Sequence, residues 1–261
     1  MNKSSGHIAA RLIVFLAALA LCVLLLEYHF QGKLGLFFSS SLPDNPIVIQ
    51  DDIWWFYLQG GRVFAVPEKY IPEKRIEDIR NNPGLLNIRK VGGFALDMLL
   101  PKLEGYSREL DESRGIGVFG GRLNVVLQAD PNGRTGKEVE EDLFFNDYLY
   151  SRQHSESATR ISDNPVIERI TLKGSYGRSN SYFLIEGNNR VKKMLTCDPD
   201  NIKRGRNAVR KCTLYAATYN EGIQYQMIFD QTYESDWLDI SNRVEALLHS
   251  FERPVAKMPV P

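Results

Sequence analysis

"RVKKMLTCDPDNIKRGRNAVRKCTLYAATYNEGIQYQMIFDQ", residues 190–231, decides the fold. "RVKKMLTC", "CTLYAATY" and "IQYQMIFDQ" have the β-branched and aromatic content of strands. The polar stretch "DPDNIKRGRNAVR" separates the first two as a loop. Asn220-Glu221-Gly222 separates the last two as a tight turn. Just upstream, "VIERITLKGSY" and "NSYFLIEG" repeat the strand pattern, with Gly187-Asn188-Asn189 as the next turn. Five such runs in succession predict an antiparallel meander.

Downstream lies "SDWLDISNRVEALLHSFE". Trp237, Ile240, Val244, Leu247, Leu248 and Phe251 share one helical face. Asp236 and Asp239, three apart, are placed to form a capping box, and Pro254 stops the helix. This helix is expected to cover one face of the meander. The fold class is therefore α+β, an antiparallel sheet covered by a C-terminal amphipathic helix.

The chain before residue 165 is less regular. "IWWFYLQGGRVFAVP" reads as two strands broken at Gly60-Gly61, and "EKRIEDIRNN" as a short helix ending before Pro83. "GGFALDMLLP" and "GIGVFGGRLNVVLQAD" read as strands. "GKEVEEDLFFNDYLYSRQ" reads as a helix whose apolar positions Val139, Leu143, Phe144 and Leu149 fit helical spacing only approximately. A division into two modules near residue 160, at "SESATRISDNP", is the alternative to a single domain over 47–261.

The N-terminus is read as a membrane anchor. Leu12 to Leu26 is fifteen apolar residues, and extension past Arg11 to Ile8 gives nineteen, against roughly 20 needed to cross a bilayer. Lys3 and Arg11 precede the run and Glu27 follows it, which puts the N-terminus in the cytoplasm. Tyr28 and Phe30 stand where an interfacial aromatic belt would lie. The competing readings are cleavage after Ala18-Leu19-Ala20 and lipidation of Cys22. Both are opposed by the apolar residues that continue past the site, and Leu21 is not the small residue a lipoprotein signal needs. The expected layout is a cytoplasmic tip and single-pass signal-anchor over 1–30, held in the inner membrane by residues 8–26. A linker follows over 31–46, and a periplasmic domain over 47–261.

That compartment gives the remaining cysteines their meaning. Cys197 and Cys212 end one strand and begin the next, so outside the cytoplasm they are expected to form a disulfide. Two separate buried thiols are the other reading.

No local motif assembles a catalytic or metal site. "GIGVFG", residues 115–120, has the spacing of a dinucleotide fingerprint, but a strand rather than a helix follows it. Asp198 and Asp200 form a D-x-D pair in a turn composition. His154 and His249 are isolated and read as surface residues. No cofactor is called for and no enzyme is expected. A hydrolase or transferase built from carboxylates that meet only in the fold is the reading held against this.

The chain carries 32 basic and 32 acidic residues, which argues against a nucleic-acid binder. Its one charge concentration is Arg190, Lys192, Lys193, Lys203, Arg204, Arg206, Arg210 and Lys211, opposed in sequence only by Asp198 and Asp200. Lys203, Arg204, Arg206, Arg210 and Lys211 lie within or beside the loop a disulfide would close. They are the candidate contact residues for an acidic partner protein or anionic headgroups.

Cys212, Tyr225, Phe229, Trp237, Ile240, Val244, Leu248, Ser250 and Phe251, with "GGRVFAVPEKY" at 60–70, make a pattern that resembles small exported envelope proteins of Gram-negative bacteria, immunity proteins against type VI secretion effectors among them. The resemblance covers residues 60–70 and 205–251. It implies a periplasmic protein that neutralises a toxin by stoichiometric binding. Such proteins are often lipoproteins or soluble, so the anchor departs from the pattern. The alternative function is a structural or accessory subunit of a cell-envelope assembly.

Overall fold

A computed structural model describes residues 47–257 and 259, apart from 59–60, 85–91, 114–120, 130–133, 175–176, 188–189, 200–209 and 220–222. The anchor over 8–26, the linker over 31–46 and the glycines of 115–120 therefore lie outside the described residues. Among the described residues no helix is long and apolar enough to cross a membrane.

Asp44–Pro261 forms one unit built on two antiparallel sheets. The smaller sheet begins with β1 (Ile47–Gln50), β2 (Ile53–Leu58) and β3 (Arg62–Pro67). Gln50 pairs with Ile53, so Asp51 and Asp52 form a two-residue turn. Both have positive φ, 52° and 59°. This mirror-image turn matches strand twist, and aspartate is among the few non-glycine residues that tolerate it. Gly61, at φ 82°, completes the turn between β2 and β3.

After α1 (Glu73–Asn81) the larger sheet begins. It contains β4 (Gly93–Leu99), β5 (Glu104–Gly105) and, past the short α2 (Arg108–Ser113), β6 (Arg122–Ala129). Helix α3, residues 136–153, then carries the chain to the far edge of the sheet. From there β7 (Ser157–Asp163), β8 (Val166–Gly174), β9 (Gly177–Glu186), β10 (Arg190–Cys197), β11 (Lys211–Tyr219) and β12 (Ile223–Asp230) return as a meander. β12 closes the path against β6, giving the order β5-β4-β6-β12-β11-β10-β9-β8-β7. The expected meander is thus present with one strand more. "SESATRISDNP" includes that strand, β7, which is exposed at every position but Ser162 and has few apolar residues to give a strand signal.

The chain ends in α4 (Trp237–Phe251) and β13 (Glu252–Arg253), which pairs with β3. Trp237, Ile240, Val244, Leu248 and Phe251 are buried, as helical spacing requires, and Leu247 packs at the margin. The Asp236/Asp239 capping box is not formed: the Asp236 side chain caps nothing. A 3-10 turn, Gln231–Asp236, runs directly into α4, and the cap sits at its start, where Asp230 accepts from the Thr232 N–H at 2.8 Å. This 3-10 segment moves the orphan N–H groups upstream to its own start.

Two cores result. The larger lies between both sheets and α4, where Phe56 stacks on Phe94 at 4.4 Å and Phe251 meets Tyr70 at 5.3 Å. The smaller joins Val139, Phe144 and Tyr148 of α3 to Ile170, Phe183 and Val191 of the sheet. Leu143 and Leu149, expected on the inner face of α3, are instead exposed. Val139–Phe144 is a π-turn, whose extra residue puts Val139 and Phe144 five apart on the same inward side.

Candidate binding site

Cys197 and Cys212 are directly opposite each other on β10 and β11, and they are bonded. The neighbouring Asp198 N–H donates to the Lys211 carbonyl at 2.9 Å, which makes Cys197 and Cys212 the non-hydrogen-bonded pair, where side chains approach most closely. Their Cα atoms are 4.0 Å apart. Asp198 also accepts from the Lys211 N–H through its carboxylate at 3.1 Å. The base of the intervening loop is therefore clamped twice, and closing a loop of this size contributes about 3 kcal/mol. The Glu234 carboxylate lies within 4.8 Å of both sulfurs, but sulfurs bonded to each other are not metal ligands.

Of the candidate contact residues, Lys203, Arg204 and Arg206 lie outside the described residues. Arg210 is exposed and Lys211 half-buried where β11 begins. The other three basic residues of the run are not free for a partner, because acids remote in sequence oppose them. Arg190 donates to the buried Glu140 carboxylate from Nε and Nη2, at 3.0 and 2.5 Å. Lys192 lies 3.3 Å from the other Glu140 oxygen and 3.2 Å from Glu186. The π-turn of α3 is what sends Glu140 inward to meet them.

Lys193 is buried on the opposite face, beneath α4. Its ammonium donates to Ser241 Oγ at 2.7 Å and Asn242 Oδ1 at 3.0 Å, and pairs with Glu245 at 3.0 Å. Tyr225 donates to Glu245 at 2.7 Å and lies 2.8 Å from Ser241 Oγ. With the tyrosine proton directed at Glu245, the Ser241 hydroxyl must donate to Tyr225. The four side chains then form a closed ring from Lys193 through Ser241 and Tyr225 to Glu245. Burial pushes the Lys193 pKa down, and Glu245 offsets part of that. Burial and the adjacent Glu245 hold the Tyr225 hydroxyl well above its usual range.

A hydroxyl beside a lysine is the pairing of serine–lysine nucleophiles. Here Ser241 has no solvent exposure, and the lysine's three N–H donors are all engaged. The ring couples α4 to the sheet and offers no substrate a path to Ser241. Sequence reasoning missed it, although one signal was present. Leu195 and Cys197 set the inward parity of β10, and Lys193 shares it.

A second polar node stands at β4 and β6. Asp97 is buried, accepting from Arg122 at 2.5 Å and Asn124 at 2.8 Å, and the Arg122 guanidinium lies 4.7 Å from the Tyr106 ring. Desolvation raises the Tyr106 pKa, with Asp111 adding to it. His154, in a polar stretch, and His249, off the apolar face of α4, are both exposed, as expected.

No model of a known protein family matches the sequence, and no curated protein matches it. Among solved structures, the fold is similar to that of an immunity protein of the Stenotrophomonas maltophilia type IV secretion system. The TM-score is 0.50 at 11% identity, over 80% of this chain and 94% of that one. The iron-regulated outer membrane lipoprotein FrpD of Neisseria meningitidis matches at a TM-score of 0.49 and 14% identity, over 81% of this chain and 97% of that one. At such identity the likeness to the immunity protein is one of fold.

Proposed function

We propose that this chain is an immunity protein that neutralises a secreted effector toxin by stoichiometric binding in the periplasm. In this reading residues 8–26 hold it in the inner membrane. The observation that carries the reading is the shared fold with an immunity protein over 94% of that protein's length. The C-terminal residue pattern, read independently from sequence, points to the same kind of protein. The secretion system is left open, since the sequence pattern points to type VI and the solved immunity protein serves type IV.

The disulfide fits an oxidising compartment. The clamped β10–β11 loop, with Lys203, Arg204, Arg206, Arg210 and Lys211, is a contact for acidic groups on the toxin. Its closed base lowers the entropy that binding must overcome.

Two experiments test this. Alkaline phosphatase fused after Pro261 of the full chain is expected to be active, and an inactive fusion would overturn the topology. The full chain, tagged and solubilised from its native host, is expected to retain one protein at equal stoichiometry. That protein should kill host cells lacking the chain and spare cells that express it. Retention of non-toxic envelope components would replace the immunity reading with an assembly subunit.

A further inference from the structure

Helix α3 is fixed to the sheet on one side and unusually apolar on the other. Inward, Val139, Phe144 and Tyr148 are buried, and Glu140 is held by Arg190 and Lys192. The exposed residues cannot turn into the core without breaking these contacts. Outward, Asp142, Asn146 and Leu149 form one row and Leu143, Asp147 and Tyr150 the next, each spaced four and then three residues apart. All six are exposed. Leu143 is 40%, Leu149 47% and Tyr150 64% exposed, and Tyr150 is the most exposed large apolar side chain among the described residues.

The surface is also ordered and charged. The Tyr150 ring packs on His154 at 4.2 Å between centroids, and His154 Nδ1 donates to the Tyr150 carbonyl at 2.8 Å. Glu141 is paired with Lys137, whereas Asp142 and Asp147 have no ion pair among the described residues. Partial desolvation raises the Asp147 carboxyl's pKa. A tyrosine packed on His154, beside two leucines and interleaved with unpaired carboxylates, offers an aromatic anchor together with uncompensated negative charge. π-turns such as the one beneath it recur at functional sites.

We propose that this outer face of α3 is a docking surface for a partner protein that presents arginine or lysine around an apolar pocket. The inference rests on the binding-protein reading above and adds the chemistry of the partner. It assigns a surface distinct from the basic loop, one that selects the opposite charge. Tyr150 is the anchor, and Asp142 and Asp147 select and steer a basic partner.

The probe is the toxin captured by the full chain. Tyr150→Ala is expected to weaken its binding about 30-fold through faster dissociation, as truncating an interface anchor does. Asp142→Lys with Asp147→Lys is expected to slow association about 10-fold at low salt, with the difference shrinking as salt rises. Leu149→Ser provides a second disruption of the same surface. All are exposed positions, so circular dichroism and thermal midpoint should stay unchanged. Wild-type rates in all three variants, with the toxin still neutralised by the parent chain, would overturn this surface while leaving the immunity reading intact. Capture of no toxin by the parent chain would overturn both. Preferential loss of binding in Arg204→Glu with Arg206→Glu alone would move the contact to the basic loop.

Discussion

At the residue scale the least expected feature is Lys193, an ammonium in a register otherwise filled by Leu195 and Cys197. Its three donors meet three acceptors, so the charge is tolerated because it is fully hydrogen-bonded. Lys193→Ala would take the ammonium away from Ser241, Asn242 and Glu245, leaving Glu245 with the Tyr225 hydroxyl as donor. It is expected to cost about 2 kcal/mol in urea unfolding, the scale of hydrogen bonds to a charged group. Lys193→Met, which refills the volume, should cost less. Tyr182 gives a pH prediction. Burial, with its hydrogen bond to Glu234, pushes its pKa up to about 12 from 10.0. Between those values the unfolded chain has lost a proton that the folded chain keeps, so this contribution is complete below pH 10 and is lost as pH rises through 12. Alkaline unfolding should therefore steepen in that window, and Tyr182→Phe should flatten it. None of these contacts was legible in the sequence. Lys193 meets partners 48 and 52 residues away, and only the alternation of β10 hinted that it faces inward.

At the scale of elements much more was legible, for reasons visible in individual segments. β8 to β12 and α4 rest on strong periodicity and clear turn chemistry and follow from the residues, whereas β7 does not. β7 has one large apolar side chain, Ile161, and lies at an edge where nothing must be buried, so no pattern records it. In α3 the apolar residues misled because a π-turn breaks the 3.6-residue period, so that Val139, Phe144 and Tyr148 face the core and Leu143 and Leu149 do not. The basic run misled similarly: its neutralising acids, Glu140 and Glu245, arrive on other elements. α4 is the element on which the larger core depends most. Trp237→Ala and Phe251→Ala each remove a buried aromatic side chain, 3% and 5% exposed. Each is expected to cost about 3–5 kcal/mol in chemical denaturation, while the toxin contact of any variant that still folds should be unchanged. Full stability with lost binding would instead place the partner on that helix.

At the scale of the whole molecule, a buried disulfide, a helix ion-paired to the sheet and a polar ring beneath the last helix all act to hold one shape. A rigid scaffold lowers the entropic cost of association and leaves specificity to what projects from it. The two proposed contacts, the basic residues of 203–211 and the acidic-aromatic face of α3, carry opposite charge. A toxin with matching basic and acidic surfaces would be bound in one orientation only. In the proposed function the chain acts by occupancy and not by turnover. Titration of the captured toxin with the full chain, read as the toxin's residual activity, tests this most directly. Stoichiometric binding gives a linear loss of activity that ends at one molar equivalent and does not progress with time. Inactivation by a small fraction of an equivalent, continuing as incubation lengthens, would contradict it.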